Sequence, residues 1–146
     1  LSLVESVRSS WWALLQWLAV VWVVVAFVEE LIFRGFLLGG AVEVFGDEPA
    51  IVALAVVGSA LVFGLAHLYQ GPAGAVSTGL VGAILAVLGL ANPKPQGVLF
   101  VGAGYNVWLP VVTHGVIDTV GLALIATGRA ERLARLSPLA AREDGG

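Results

Sequence analysis

The stretch FVEELIFRGF, residues 27–36, places two carboxylates and one guanidinium in the middle of an apolar sequence. The eighteen residues before Glu29 carry no charge, and neither do the eight residues after Arg34. On insertion scales, one ionisable side chain at the centre of a membrane helix costs about 2.5–3.5 kcal/mol. Three such side chains in so apolar a segment therefore indicate a polar site buried within a membrane.

The composition of the whole chain agrees with an integral membrane protein. Of the 146 residues, 59% are hydrophobic and 12% are charged, and the mean hydropathy is +0.98. A soluble domain carries about 25% charged residues. A net charge of -3 and a pI of about 5.2 give no basic patch, so we expect no nucleic-acid partner. The absence of cysteine excludes a disulfide framework, a thiolate zinc site and a cysteine nucleophile.

Apolar runs separated by turns that contain Gly and Pro predict four transmembrane helices. No alternation with a period of two persists, and only helices or closed barrels satisfy the backbone within lipid. The predicted fold is an all-α integral membrane bundle, with one core domain over residues 1–135 and a disordered polar tail over 136–146. Because the chain begins at Leu1 and contains no Met, we also expect further helices upstream. The predicted helices cover residues 11–42, 50–68, 73–91 and about 106–127.

Two residue patterns indicate how these helices pack and how they are oriented. Small residues four positions apart, such as Ala60 and Gly64 or Ala75 and Gly79, allow close contact between helices. Basic residues concentrate near the two ends of the chain, whereas the opposite side of a four-helix topology carries only Lys94. By the positive-inside rule, we expect both termini in the cytoplasm. The basic residues near the ends are Arg8, Arg129, Arg132, Arg135 and Arg142.

Glu30 and Arg34 lie four residues apart, which sets them on one helix face in the order that favours an ion pair. Glu29 is turned by about 100° from Glu30 and by about 140° from Arg34 on the same helix. Glu30 can therefore neutralise Arg34, while Glu29 points elsewhere and is available as a general base. The alternative is a structural ion pair that joins two helices, with Glu29 lining water.

The two histidines of the chain lie in two further short motifs. FGLAH sets Phe63 one turn before His67, near the end of a helix, where a histidine is often a cap or a packed side chain. HGVID sets His114 and Asp118 on one helix face, where they can share a metal or a proton, or where the carboxylate orients a structural histidine. At about 1.5 Å per residue, both motifs and Glu29 reach one layer roughly 10 Å thick. We expect a wet cleft there, open toward the cytoplasm.

These motifs resemble those of a known family of membrane proteases. EELIFR fits the motif EExxxR, FGLAH fits FxxxH and HGVID fits HxxxN/D, and the three occur in the expected order on successive helices. Over about residues 25–127 the chain is similar to the CAAX-prenyl endopeptidases and bacteriocin-processing enzymes, also called CPBP or Abi intramembrane proteases. The resemblance implies a multi-pass protein of a prokaryotic cell membrane. Its partners would be the lipid bilayer and a membrane-associated protein or peptide substrate. That substrate could be a prenylated CAAX-type sequence, a leader peptide or a segment of a membrane protein.

The resemblance also implies a role for each motif residue. Glu29 and His67 would hold and activate the water that hydrolyses the peptide bond, and His114 and Asp118 would stabilise the oxyanion. These four side chains could also hold one zinc ion, although the HExxH spacing of ordinary metalloproteases is absent from the sequence. The resemblance thus leaves open a glutamate-dependent or a metal-dependent reaction. The supporting residues would be Glu30, Arg34 and Phe63.

Asp118 departs from the prenyl-protein processing enzymes, for which the pattern leads us to expect Asn. An ionised Asp cannot donate a hydrogen bond to an oxyanion, so Asp118 would have to be protonated, pair with His114 or bind a metal. Two other functions stay open. One is a catalytically silent family member that acts as a membrane scaffold or immunity protein. The other is a transporter or channel element in which the same side chains conduct protons or cations.

Overall fold

The computed structural model describes residues 3–91, 106–130 and 132 of the chain. Within these residues every regular element is a helix, and four helices are long and apolar enough to cross a membrane. The prediction of an all-α membrane bundle is therefore confirmed. The predicted loop around Lys94 and the predicted polar tail over 136–146 lie outside the described residues. The helices are α1 (Leu3–Ser9), α2 (Trp11–Phe45), α3 (Pro49–Ala66), α4 (Gly71–Ala91) and α5 (Trp108–Ala126).

α2 is the longest helix and carries the charged stretch over residues 27–36. Its 35 residues give it a length of roughly 50 Å. Two segments of it, Val21–Val28 and Leu31–Leu38, are π-helical, and the two glutamates lie between them. In a π-helix each N–H bonds to the carbonyl five residues earlier, and such segments are frequent at functional sites. The prediction of a regular helix over 11–42 is wrong in two respects. The helix ends at Phe45, and two of its segments are π-helical, because runs of Val, Leu and Phe fit either hydrogen-bond pattern.

The link between α3 and α4 is short and begins at a histidine. α3 ends at Ala66, and His67 occupies the capping position before a single 3₁₀ turn, Leu68–Gln70. Gly71 then starts α4 with a φ of 83°, a conformation that other residues rarely adopt. The chain therefore reverses its direction immediately after His67. The predicted boundaries of α3, α4 and α5 differ from the observed ones by at most two residues.

α3 and α4 pack with their backbones in direct contact. A Cβ atom added to Gly64 would lie 2.7 Å from the carbonyl oxygen of Ala75, and one added to Gly79 would lie 3.3 Å from the carbonyl oxygen of Ala60. Side chains at either glycine would force the helices apart. The predicted role of these small residues in close helix packing is confirmed.

A small apolar core lies where α2, α4 and the start of α5 meet. Leu38 and Ala86 are completely buried in it. Phe36 and Leu54, by contrast, are 80% and 71% exposed on the outside of the bundle. Such exposure is expected of helices that face lipid, since lipid is as apolar as these side chains. The core consists of Leu38, Ala86, Val107 and Val111, with Phe27, Ala55 and Val56 packed against it.

The short helix α1 was not predicted, and it ties the start of the chain to the end of α5. The Nε–H group of Arg8 donates a hydrogen bond of 2.9 Å to the carbonyl oxygen of Ile125. The indole N–H of Trp17 donates to the hydroxyl oxygen of Ser6 at 3.3 Å, which holds α1 against α2. The beginning of α2 and the end of α5 therefore lie at the same end of the bundle, as expected for four crossings.

Gly64→Ala is expected to lower the midpoint of thermal unfolding in detergent, because the added methyl group would lie 2.7 Å from the carbonyl oxygen of Ala75. The destabilisation should be about 1–3 kcal/mol. Gly58→Ala, in the same helix, is the control, since no described atom lies within 4 Å of a Cβ at that position. Circular dichroism measures both midpoints, and equal midpoints for the two variants would contradict the prediction.

Candidate active site

Three helices bring the six ionisable side chains of the sequence motifs together in one polar cluster. Neighbouring polar atoms in the cluster are between 2.8 Å and 4.0 Å apart. The expectation that the three motifs reach one layer of the bundle agrees with these distances. The members of the cluster are Glu29, Glu30 and Arg34 from α2, His67 from the end of α3, and His114 and Asp118 from α5.

The deepest part of the cluster is the ion pair between Glu30 and Arg34, both of which are completely buried. Arg34 Nη1 donates to Glu30 Oε1 at 2.8 Å, the i to i+4 pair expected from the sequence. Arg34 Nη2 donates to the carbonyl oxygen of Gly82 in α4, also at 2.8 Å. Glu30 Oε1 lies 2.9 Å from Nδ1 of His114 in α5. The pair therefore joins α2 to α4 and α5 at the same depth.

Phe63 packs between the ion pair and the two histidines. The guanidinium carbon of Arg34 lies 4.4 Å from the centroid of the Phe63 ring, within cation–π range. The ring of His67 is 4.6 Å away, and the ring of His114 meets it edge-on at 6.1 Å. Phe63 is 1% exposed. The first residue of the FxxxH motif thus packs on the guanidinium and on both imidazole rings.

Gly82 is a member of the site that the sequence motifs did not identify. Its carbonyl oxygen accepts the bond from Arg34, and an added Cβ would lie 2.7 Å from Phe63 Cδ1 and 3.0 Å from Arg34 Nη2. Only glycine leaves room for both side chains at this point. This position could not be predicted from the sequence, because α4 contains several small residues and each of them has a backbone carbonyl that could accept the bond from Arg34.

Glu29 faces the two histidines. Its Oε2 atom lies 3.9 Å from Nε2 of His67 and 4.0 Å from Nε2 of His114. Within the part of the chain that the structure describes, this oxygen has no hydrogen-bond partner. The side chain is 25% exposed, whereas that of Glu30 is 0% exposed. The two adjacent glutamates therefore differ, since one is committed to the ion pair and the other directs a buried carboxylate oxygen, without a hydrogen-bond partner among the described residues, toward the two histidines.

The ring of His67 is fixed by its own helix. Nδ1 lies 2.8 Å from the carbonyl oxygen of Phe63, four residues earlier. A carbonyl oxygen only accepts, so Nδ1 carries the hydrogen and donates it. In the neutral imidazole, Nε2 then presents its lone pair to Glu29. His67 is thus the cap of α3 and at the same time a member of the cluster.

His114 connects the buried and the accessible parts of the cluster. Its Nδ1 atom donates to Glu30 Oε1, because an ionised carboxylate only accepts. Its Nε2 atom lies 3.4 Å from Oδ2 of Asp118, one turn further along α5. The side chain of Asp118 is 30% exposed. Of the three arrangements considered for this aspartate from the sequence, the geometry agrees with a pair with His114.

The donor atoms around Glu29 are further apart in this structure than the ligands of a tetrahedral zinc ion. No group of three or more His, Asp or Glu side chains within residues 3–91, 106–130 and 132 is arranged to hold a metal ion. With bonds of about 2.0–2.2 Å, the donor atoms of a tetrahedral site would be about 3.3–3.6 Å apart. The separations of 3.9 Å and 4.0 Å around Glu29 Oε2 exceed this range. The zinc ion stays a prediction.

Four membrane-spanning helices with a Glu/His cluster between them define a class of helical membrane protein with a polar site at membrane depth. Comparison with known families identifies it further. The model of the family described as type II CAAX prenyl endopeptidase Rce1-like matches residues 10–120, which include all six side chains of the cluster. Neither the comparison with curated proteins nor that with solved structures gave a match.

The family match covers well over half of the chain. The chain therefore belongs to the Rce1-like family of CAAX-type intramembrane proteases. The resemblance predicted from the three motifs is therefore confirmed. The family and the four apolar helices together define a multi-pass membrane protein. The family match gives no support for a metalloprotease.

Arg34→Leu is expected to destabilise the fold by about 3–5 kcal/mol, because it leaves the completely buried carboxylate of Glu30 without its guanidinium. The double variant Glu30→Gln/Arg34→Leu should recover part of this loss, since glutamine is neutral and still offers an oxygen to His114. Unfolding by a denaturing detergent, followed by circular dichroism, measures both stabilities. A double variant that is no more stable than Arg34→Leu would argue against this electrostatic explanation.

Proposed function

We propose that this chain is an intramembrane endopeptidase in which Glu29 and His67 activate a water molecule that hydrolyses a peptide bond. The observation that carries the proposal is a pair of acceptor atoms at the centre of the cluster. Glu29 Oε2 and His67 Nε2 are 3.9 Å apart, and a water about 2.8 Å from each atom can donate one hydrogen to each. Membership of the CAAX-type protease family supports this chemistry.

Glu29 is the general base of the proposed reaction. As the water oxygen attacks the substrate carbonyl carbon, the carboxylate takes a proton from the water at Oε2. When the C–N bond breaks, the same carboxyl group returns the proton to the leaving amine. The other hydrogen of the water is held by Nε2 of His67, whose ring is fixed by the 2.8 Å bond from Nδ1 to the Phe63 carbonyl. His67 therefore orients the water toward the substrate.

His114 stabilises the negative charge that develops on the substrate oxygen. Its Nδ1–H group is already donated to Glu30, so Nε2 can donate only when His114 is an imidazolium. The carboxylates of Glu30 at 2.9 Å and Asp118 at 3.4 Å supply the countercharge for this form. Asp118 therefore acts in its ionised form, through His114, and not as a donor to the oxyanion. In this arrangement the aspartate can replace the asparagine of the prenyl-protein processing enzymes without loss of the donor.

The buried residues hold these groups in place. The hydrogen bond from Arg34 fixes the carboxylate of Glu30, and that carboxylate in turn fixes the ring orientation of His114. Phe63 packs against both imidazole rings and restricts their movement. Preorganised donors of this kind stabilise a developing charge without reorganisation during the reaction. Glu30, Arg34, Phe63 and Gly82 therefore support the reaction without contact with the reacting atoms.

The proposed substrate is a prenylated CAAX-type peptide, with a leader peptide as the second class to test. The family assignment favours the first. The side chains of Glu29 and Asp118 are 25% and 30% exposed, whereas the Oε2 atom of Glu29 is buried. A peptide that reaches Oε2 therefore enters past the exposed parts of these two side chains. Tyr69, which is 80% exposed, has its ring 5.6 Å from that of His67 and borders this access.

Glu29→Gln and His67→Ala are each expected to reduce cleavage of a farnesylated CAAX-type peptide by about 10²- to 10⁴-fold. The first variant removes the base, and the second removes the acceptor that orients the water. Glu43→Gln is the matched control, because the Glu43 carboxylate is exposed on the same helix and lies outside the cluster. The assay uses purified protein in detergent and follows the released tripeptide by mass spectrometry. Cleavage that survives Glu29→Gln would rule out the mechanism.

The same assay distinguishes the remaining proposals. Full activity in the presence of a metal chelator supports direct action of Glu29, whereas loss that added zinc restores supports the predicted zinc ion. A silent scaffold cleaves neither a prenylated peptide nor a leader peptide. A transporter element conducts protons or cations when reconstituted in liposomes, and Glu29→Gln would abolish that flux.

We further propose that both ends of this chain face the cytoplasm of a prokaryotic cell. The bond between Arg8 and Ile125 supports a common side for them, and the basic residues near both ends favour the cytoplasmic one.

Ser9→Cys should be protected from a membrane-impermeant maleimide added to intact bacterial cells, and Glu48→Cys should be labelled, because Glu48 lies in the turn between α2 and α3. The chain has no cysteine of its own, so each variant reports on a single position. Permeabilised cells, in which both positions react, serve as the control. The reverse labelling pattern would show the opposite orientation.

A further inference from the structure

The indole of Trp22 in α2 makes a two-point contact with α5 that lies outside the three sequence motifs. Its ring packs on Gly115, where an added Cβ would lie 2.8 Å from two of the ring carbons. Its Nε1–H group donates to the hydroxyl oxygen of Thr119 at 3.1 Å. That hydroxyl donates in turn to the carbonyl oxygen of Gly115 at 2.6 Å. The contact therefore spans one full turn of α5.

The two contacted residues directly follow two members of the site. Gly115 comes after His114, and Thr119 comes after Asp118. On a helix, successive residues are turned by about 100°, so the face held by the indole adjoins the face that carries the imidazole and the carboxylate. Fixing one face against α2 therefore fixes the direction of the other.

α2 and α5 meet a second time at the bond between Glu30 and His114. Trp22 precedes Glu30 by eight residues, or about 12 Å along a regular helix. On α5 the two contacts involve consecutive residues on adjacent faces, Gly115 and His114, so together they restrict rotation of α5 about its axis, which one contact alone leaves less restricted. A rotation of about 20° would move an atom at the rim of the helix by about 2 Å. The 4.0 Å separation between His114 Nε2 and Glu29 Oε2 would change by a comparable amount.

We propose that Trp22 is a positioning residue: through Gly115 and Thr119 it fixes the rotation of α5 and thereby directs His114 and Asp118 toward Glu29. The inference rests on the proposed function, since it assigns these side chains to peptide-bond hydrolysis. Trp22 itself contacts α5 and acts through it. Misplacement of a reacting group by about 1 Å can lower a rate about 10²-fold, so a modest rotation has a measurable effect.

Three variants separate the hydrogen bond from the bulk of the side chains. Trp22→Phe keeps an aromatic ring against Gly115 but removes the N–H group, and Thr119→Val keeps the shape of threonine but removes the hydroxyl. Both are expected to lower kcat about tenfold with little change in KM. Thr119→Ser keeps the hydroxyl and should retain the activity of the wild type. Trp12→Phe is the matched control, because that side chain is 64% exposed and its ring packs on Trp11.

A second measurement reads the helix rotation without reference to activity. Because the chain has no cysteine, a pair of spin labels can be attached through Val24→Cys in α2 and Val116→Cys in α5, both exposed positions. Double electron–electron resonance spectroscopy of the full chain in lipid nanodiscs gives the distribution of distances between the two spin labels. Trp22→Phe and Thr119→Val should shift or broaden this distribution by about 2 Å. Thr119→Ser and Trp12→Phe should leave it unchanged.

The two measurements together decide the inference. A lower kcat with an altered distance distribution in Trp22→Phe and Thr119→Val supports it. An unchanged distribution in both variants overturns it, and so does an altered distribution with full kcat. If the wild-type protein cleaves neither peptide class, the proposed function fails, and the label distances alone then support or overturn the fixation of α5 by Trp22.

Discussion

A guanidinium with no exposed surface lies inside this membrane protein, and the positions of four helices follow from how its charge is compensated. Arg34 belongs to α2, donates to the carbonyl of Gly82 in α4 and lies over the ring of Phe63 in α3. Its carboxylate partner Glu30 receives a further bond from His114 in α5. A buried charge that loses a partner is strongly destabilising, so none of these helices can slide without loss of a contact.

This compensation also explains why two glutamates stand side by side. The carboxylate of Glu30 is paired with the guanidinium of Arg34 and with the imidazole of His114, and its side chain has no exposed surface. Glu29, one position earlier and turned away, is left to the accessible side of the cluster together with His67. Burial and charge pairing thus separate a carboxylate that is paired with a guanidinium from one that is not, within a single turn of helix. The two side chains are chemically identical, so the difference between them arises from their surroundings alone.

Much of the cluster could be predicted from the sequence, because lipid makes each polar residue informative. The spacing of Glu30 and Arg34 predicted their ion pair, and the positions of the two histidines in apolar helices predicted that they would approach Glu29. The all-α bundle and the family followed from hydropathy and the three motifs. The catalytic roles, by contrast, remain predictions that depend on experiment.

Other features could not be predicted, and the reasons are physical. The π-helical segments of α2 arise from a choice between hydrogen-bond partners that Val and Leu side chains do not encode. Gly82 acts through a backbone carbonyl and through the absence of a side chain, so its sequence neighbours look equivalent to it. Trp22 and Gly115 are 93 positions apart in the chain, and their contact depends on the relative rotation of α2 and α5.

The length of α2 has a consequence for the surroundings of the protein. At roughly 50 Å, this helix is longer than the hydrocarbon layer of about 30 Å, so it must tilt or extend beyond that layer. Trp22, Glu30 and Arg34 all belong to α2 and bind it to α4 and α5, so a change in its tilt reorients the whole cluster together. Bilayers of different thickness favour different tilts. The acyl-chain length of the surrounding lipids therefore acts on the orientation of the cluster relative to the membrane surface.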